Sequence, residues 1–270
     1  MISMVEPTDA SPAQPAPELV RLRVDTDVGH IELHRPDARN ALSVGALNQL
    51  LEALESIERD EKIKIVVITG GEQAFSSGLE IAEHTDDGVY QLVESFHEVV
   101  RRLSALECVS ISVVKGMAVG AGCELAASCD FCFAAEGAKL GQPEVKAGLF
   151  PTVAPVLYPR LIGLHRAYEM ILTGRIYEAR EAAAIGLITR AVAPDAIDKE
   201  LEQWISFLRS FSTPVLRLAR RAVSDASNLP FGEGLRLVES IYLDKLMATE
   251  DAKEGVKALR ERRAPAWRNE

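Results

Sequence analysis

Positive charge and long apolar runs are what this sequence has least of, and each shortage bears on a class of function. Forty acidic residues against 30 basic ones leave a formal charge of −10. That balance argues against a nucleic-acid binder relying on phosphate neutralisation. It leaves room for an anionic small molecule, which a few backbone amides and one or two cations can hold. No apolar run reaches membrane-spanning length, so no membrane partner is expected. The first residues, MISMVEPTDASPAQPAPE, lack a basic stretch followed by an apolar one, and Pro7, Pro12, Pro15 and Pro17 oppose regular structure. Residues 1–17 are expected to be a flexible tail on a cytoplasmic protein. Cysteine is scarce as well, with Cys108, Cys123, Cys129 and Cys132 making the full set. Cys129 and Cys132 have C-x-x-C spacing, but they sit in an apolar run and no second pair or histidine cluster completes a zinc set. They read as reduced core residues, and no metal is expected.

What is present is ordinary globular composition, 47% hydrophobic and 26% charged over 270 residues, enough for one domain with an appendage. LVRLRVD and HIELH (19–34) read as two strands broken at Gly29. Ser43 can cap a helix carrying Leu47, Leu50, Leu51, Leu54 and Ile57. IKIVVIT (63–69), VSISVV (109–114) and DFCFAA (130–135) are runs typical of strands covered on both faces. A long amphipathic helix through Val89 to Leu103 separates the first two. Helix-length crossovers imply βαβ units, hence an α/β fold with a mostly parallel sheet covered by helices. Beyond residue 155 helices dominate, with ITRAV (188–192) as a strand, and 197–210, 214–227, 231–247 and 250–263 as successive helices. The expected division is an α/β core over 18–195 and a helical C-terminal region over 196–270.

Two loops carry the candidate chemistry, each leaving a buried strand for a helix: Ala74 to Glu80, and Gly116 to Glu124. Crossovers of this kind open onto a shared crevice at the carboxyl ends of the strands. Two amides converging from two loops can form an oxyanion hole. The glycines serve equally well for tight turns and close packing. A dinucleotide fingerprint fails, because Leu125 stands where the last glycine belongs. Glu124 falls in the first turn of a helix, where the dipole favours an ionised carboxylate, and Glu144 follows in Gly-Gln-Pro-Glu. Two carboxylates on one cavity can manage a water, one taking a proton while the other gives one. On spacing alone, a solvated helix-start glutamate and a salt-bridged loop glutamate account for the pair as well.

Four segments in order settle the resemblance: HRPDARNALS (34–43), AFSSGLEIAE (74–83), GMAVGAGCELAASCD (116–130) and GQPEVKAGLFP (141–151). From about residue 20 onward the chain resembles the enoyl-CoA hydratase, or crotonase, family. The resemblance implies the crotonase (ClpP-like) fold with a ββα-type core and a helical C-terminal oligomerisation region. It implies oxyanion-hole amides at Leu79 and Ala121, where relatives usually carry glycine at the second place. Alanine keeps the N–H provided the backbone needs no positive φ. By the same resemblance Glu124 activates a water and Glu144 protonates the α-carbon of a CoA thioester. CoA contacts are implied for Asp37, Ala38, Arg39, Ala41 and Ser77, and for Leu259 and Arg262 near the C-terminus, often reached from a neighbouring subunit. The partner is an acyl-CoA substrate, with no separate cofactor, in a homotrimer or homohexamer.

One departure bears on the substrate. After Pro151 relatives carry a glycine-rich stretch, whereas residues 152–158 here contain no glycine. That segment is expected to border the acyl pocket with His84, Gly122, Pro151 and Val153. The wording resembles the branch of cyclohexa-1,5-dienecarbonyl-CoA hydratases, which implies a cyclic or bulky conjugated acyl group. The expected activity is hydration, or its reversal, of an enoyl-CoA double bond. Rival readings are isomerisation or decarboxylation on the same fold, or a non-catalytic or RNA-associated scaffold.

Overall fold

A computed structural model describes residues 17–270; the tail expected over 1–17 lies outside that range except for Pro17, whose carbonyl accepts from Gln49 Nε2 at 2.9 Å. The strands are β1 (Val20–Asp25), β2 (Val28–Leu33), β3 (Ile65–Thr69), β4 (Ala74–Ser76), β5 (Val109–Val114), β6 (Met117–Val119), β7 (Phe131–Ala135), β8 (Lys139–Gly141), β9 (Ile176–Glu178) and β10 (Arg190–Val192). Six of them form one sheet in the order β1-β2-β3-β5-β7-β10, antiparallel only between β1 and β2. The other four form a small second sheet, β4-β6-β8-β9, antiparallel only between β8 and β9.

The large sheet is covered on both faces, as its β-branched runs require. Side chains alternate along a strand, so Val66 and Ile68 of β3 enter one apolar cluster while Ile65 and Val67 enter another. The first face packs against α1 (Val44–Arg59) and α2 (Val89–Ala105) through Leu47, Leu50, Leu54, Phe96, Val99 and Leu103. Ser43 caps α1 by accepting from the Ala46 amide at 3.2 Å, the expected start signal. The short helix α3 (Ala121–Ala127) is buried along its whole length. Next come α4 (Ala154–Ile162), α5 (Leu164–Thr173) and α6 (Ala179–Ala184). The second face packs against α7 (Ile197–Arg209), with the Trp204 ring tilted against Phe131 and Phe133 at centroid distances of 4.9 and 5.3 Å.

The remaining helices are α8 (Thr213–Ala226), α9 (Phe231–Ser240) and α10 (Glu250–Glu261). The single helix expected over 231–247 is α9 followed by a π turn at Ile241–Lys245 and a 3-10 turn at Leu246–Ala248. A second correction concerns the first hairpin. Its break falls at Thr26, in the left-handed region at φ 60°, and Gly29 lies inside β2 against Ile57. All four cysteines are buried free thiols. Burial pushes Cys108, Cys123 and Cys132 up to about 12, which keeps them from the reactive thiolate form.

Arg220 docks α8 on the core. It donates to Asp130 at 2.7 Å and to the carbonyls of Leu103, Ser104 and Leu106, the last turn of α2. Its side chain is only 10% exposed, so the interaction is poorly screened by solvent. Replacing Arg220 by Met keeps the apolar stem but leaves Asp130 and those carbonyls without their cation. Urea unfolding of Arg220→Met is expected to show a loss of about 3 kcal/mol.

Candidate active site

The small sheet matters because it carries both loops to one place. Its β4 leads into Ser77–Glu80 and its neighbour β6 leads into Gly120 and α3. The first loop is pinned from the other side by Leu42, which donates to Gly78 O at 2.8 Å and accepts from Glu80 N at 3.0 Å. A parallel bridge made this way uses the backbone groups of residues 78 and 80, so the intervening Leu79 amide stays out of it. Ala121 is the first residue of α3, where an N–H has no acceptor one turn back. Among the described residues neither amide donates to a protein acceptor.

Glycine is required twice here. Gly78 has φ 96°, and a Cβ on it would lie 3.1 Å from Val119 O and 3.4 Å from Ala121 N. Gly120 has φ 57°, and a Cβ on it would lie 2.7 Å from Glu144 Oε1. The positive φ thus falls on Gly120 and spares Ala121, so alanine at 121 needs no strained backbone.

Leu79 and Ala121 open onto a cavity of about 530 Å³, which Glu124 and Glu144 also line. Glu124 is 1% exposed. Its Oε1 accepts from the amides of Val153 at 2.7 Å and Ala154 at 2.5 Å, the N-terminus of α4, where N–H groups and dipole favour an anion. Both bonds go to Oε1, which leaves Oε2 for the cavity. Burial nevertheless raises the Glu124 carboxyl to about 7; the two amides oppose that rise and the Glu144 charge adds to it. Glu144 opens a 3-10 turn at Glu144–Ala147 and is also raised by burial. Burial is the largest cause of the rise in both carboxyls, and the Glu144 charge is the smallest contribution at Glu124.

The other expected site residues divide into groups. His84 and Pro151 line the cavity, and His84 Nδ1 lies 3.0 Å from Glu80 O. That contact puts the proton of a neutral ring on Nδ1 and leaves Nε2 as an acceptor. Gly122 and Val153 are not cavity walls. A Cβ on Gly122 would sit 2.4 Å from Ser76 O, so glycine there lets α3 press against β4. Val153 turns its side chain into the core and its amide to Glu124. Ser77 lines the cavity and donates from its amide to Arg39 O at 3.0 Å and from its hydroxyl to Ala38 O at 3.4 Å. The turn containing Asp37, Ala38, Arg39 and Ala41 therefore lies beside the first loop. Leu259 is 80% exposed, Arg262 ends α10 in a left-handed conformation, and neither lines this cavity.

Several residues escaped the sequence reading. Asn40, at φ 54° and 4% exposed, accepts from Arg35 N at 2.7 Å and donates to Ala74 O at 3.0 Å. Asparagine tolerates the left-handed region, but only the folded chain shows what it ties together. Ile81, Val89, Val93, Leu149 and Phe150 form apolar wall. Thr152, by contrast, belongs to the segment expected at the pocket, and it does line the cavity, with its hydroxyl buried without a partner among the described residues.

A raised carboxyl is a cost to the fold with a definite pH signature. In the unfolded chain Glu124 ionises near 4.5 and in the fold near 7. Below 4.5 both states hold the proton and there is no penalty; between the two values only the unfolded chain releases it, so stability falls as pH rises, levelling off above 7. Glu124→Gln keeps an acceptor for the Val153 and Ala154 amides without the charge. Thermal and urea unfolding are expected to show Glu124→Gln more stable than wild type by about 3 kcal/mol above pH 7, with the difference vanishing toward pH 4.5.

The sequence profile of the enoyl-CoA hydratase/isomerase family matches residues 23–270. A probable enoyl-CoA hydratase of Mycobacterium bovis is 36% identical over 252 residues, covering 93% of this chain and 98% of the relative. One from Rhizobium meliloti is 38% identical over 233 residues, covering 86% and 90%. Among solved structures, the crystal structure of an enoyl-CoA hydratase from Bacillus anthracis superposes with a TM-score of 0.88 at 30% identity, covering 93% of this chain and all of the other. A match that spans nearly the whole chain, on a fold whose converging loops and paired glutamates have been described, places the protein plainly: it belongs to the enoyl-CoA hydratase/isomerase family.

Proposed function

We propose that the protein adds water across a double bond conjugated to a CoA thioester, or removes it in the reverse direction. The observation that carries this reading is the pair of unpartnered amides, Leu79 and Ala121, on a cavity lined by buried Glu124 and half-buried Glu144. The amides bind the thioester oxygen and draw charge from the double bond, making the β-carbon electrophilic. Ionised Glu124 takes a proton from water as its oxygen bonds to the β-carbon. The enolate that forms is held by the same two amides. Protonated Glu144 then gives its proton to the α-carbon, closing the addition. Glu124 ends protonated and Glu144 ionised, and a proton passing between them through the cavity restores the start.

Two carboxyls favour water chemistry over isomerisation, which needs one group to move a proton between carbons. The turn at 36–41 beside Ser77 is the proposed seat of the CoA adenine end, with Leu259 and Arg262 reaching a neighbouring copy's CoA in a trimer or hexamer. For the acyl group we propose a bulky or cyclic conjugated chain. A cavity of about 530 Å³ with an apolar wall is open to such a group. The glycine-free stretch after Pro151 puts Thr152 on that cavity.

The test is mass spectrometry of crotonyl-CoA, a longer enoyl-CoA and cyclohexadienecarbonyl-CoA after incubation with wild type, Glu124→Gln and Glu144→Gln. A gain of one water is expected with wild type, fastest on the cyclic ester, and slowed about 10²–10⁴-fold in each variant. Double-bond migration or loss of carbon dioxide without water gain would refute the hydratase reading.

A further inference from the structure

The Leu79 N–H stands at the end of a line of hydrogen bonds that begins at a charge. A trans peptide points its N–H and C=O in opposite directions, so whatever holds the carbonyl also aims the N–H. The peptide unit that carries the Leu79 N–H has its carbonyl on Gly78, and Gly78 O accepts from the Leu42 amide at 2.8 Å. The unit that carries the Leu42 N–H has its carbonyl on Ala41, and Ala41 O accepts from Arg35 Nη1 at 3.2 Å. The line therefore runs from the Arg35 guanidinium through two peptide units to the cavity. Ala41, Leu42 and Gly78 are all buried.

Arg35 is fixed in turn by Glu80, whose Oε2 accepts from the same Nη1 at 2.6 Å. The two side chains are 31% and 21% exposed, so solvent screens the pair only in part. The bond from Arg35 is first among the causes that hold the Glu80 carboxyl below its usual range.

Hydrogen bonds in series polarise one another, and a charged donor at the head of the series strengthens the effect. A guanidinium on Ala41 O draws electron density toward itself through each peptide, which makes the last N–H, that of Leu79, a better donor. The other amide has a different support. Its carbonyl, Gly120 O, accepts from the Glu124 amide at 3.0 Å, an ordinary bond of α3.

We propose that Arg35 is a positioning residue for the oxyanion hole: through Ala41 O and Leu42 it aims and polarises the Leu79 N–H, and Glu80 holds it in place. The inference rests on the reading of Leu79 and Ala121 as donors to the thioester oxygen. Arg35 touches no reacting atom. Its effect grows as that oxygen gains charge, so it acts on the enolate-like state more than on the bound ester, and on kcat more than on KM.

The test reads the carbonyl itself. Crotonyl-CoA labelled with ¹³C at the thioester carbonyl is bound to Glu124→Gln, alone and combined with Arg35→Met or with Glu80→Gln, and its carbonyl stretch is recorded by difference infrared spectroscopy. Arg35→Met keeps the apolar stem and removes the cation, so the stretch is expected to move back toward its value in water. Glu80→Gln keeps an acceptor for Arg35 and removes the opposing charge, so the stretch is expected to move the other way, to lower wavenumber. A merely structural role would loosen the loop in both variants and raise both stretches. With Glu124 restored, Arg35→Met should lower kcat about tenfold, short of the roughly 10²–10³-fold cost of losing an oxyanion donor, with KM changed less than about threefold.

An unmoved stretch in bound ligand, a shift of the same sign in both variants, or a raised KM with kcat kept would overturn the proposal and leave the hydratase reading standing. If Arg35→Met fails to fold, Glu80→Gln decides alone, because a stretch that stays or rises there is enough to overturn it. A Glu124→Gln protein that binds the ester without lowering its stretch would overturn the oxyanion reading as well.

Discussion

Everything in this site depends on two backbone N–H groups being kept without partners at the edge of a cavity. Folded chains satisfy nearly all buried amides, so two open ones on one cavity must be held open by geometry. Leu42 does this for the first loop by bonding residues 78 and 80 and passing over 79. The start of α3 does it for the second, since a first-turn amide has no helical acceptor. Gly78 and Gly120 then take the positive φ values that bring the two loops close. Neither position would accept a side chain without moving backbone or a carboxylate. The parallel order of β3 and β5, and of β4 and β6, places both loops on the same side.

The second dependence is electrostatic. Glu124 would not keep a charge when almost fully buried without the α4 N-terminus, and even with it the carboxyl remains raised. The glycine-free segment after Pro151 is compatible with this duty because the work is done by the amides of Val153 and Ala154. Pro155 sits in the first turn of α4, where a missing N–H is harmless. The segment therefore meets the cavity through side chains such as Thr152 while its backbone supports the carboxylate. Stability is spent on burying the Glu124 carboxyl at the cavity, a cost usual for sites of proton transfer.

How much of this was legible in the sequence follows from the range of the interactions. Periodic segments such as Leu47–Ile57 and Val89–Leu103, and the β-branched run at 63–69, announce themselves because a helix stripe or a two-faced strand is a local pattern. The four strands of the small sheet do not, because three residues such as Lys139–Gly141 carry no period and exist only through pairing. Glu124 and Glu144 were legible as candidates through their motifs. The partners that hold Glu124 were not: Val153 and Ala154 lie about 30 residues on from it. Gly122 was expected at the pocket because it belongs to a glycine-rich loop, yet its role is contact with Ser76. Glycine marks closeness without saying to what.

The central claim, that the Leu79 and Ala121 amides take the thioester oxygen, is tested most directly by vibrational spectroscopy of a bound ligand. An enoyl-CoA labelled with ¹³C at the thioester carbonyl would be bound to Glu124→Gln, which should not turn it over quickly, and its carbonyl stretch compared with that in water. Two fixed donors polarise the bond more than solvent does, so the account predicts a shift to lower wavenumber with the double-bond stretch falling alongside. A bound ligand whose carbonyl stretch equals or exceeds its value in water would contradict it.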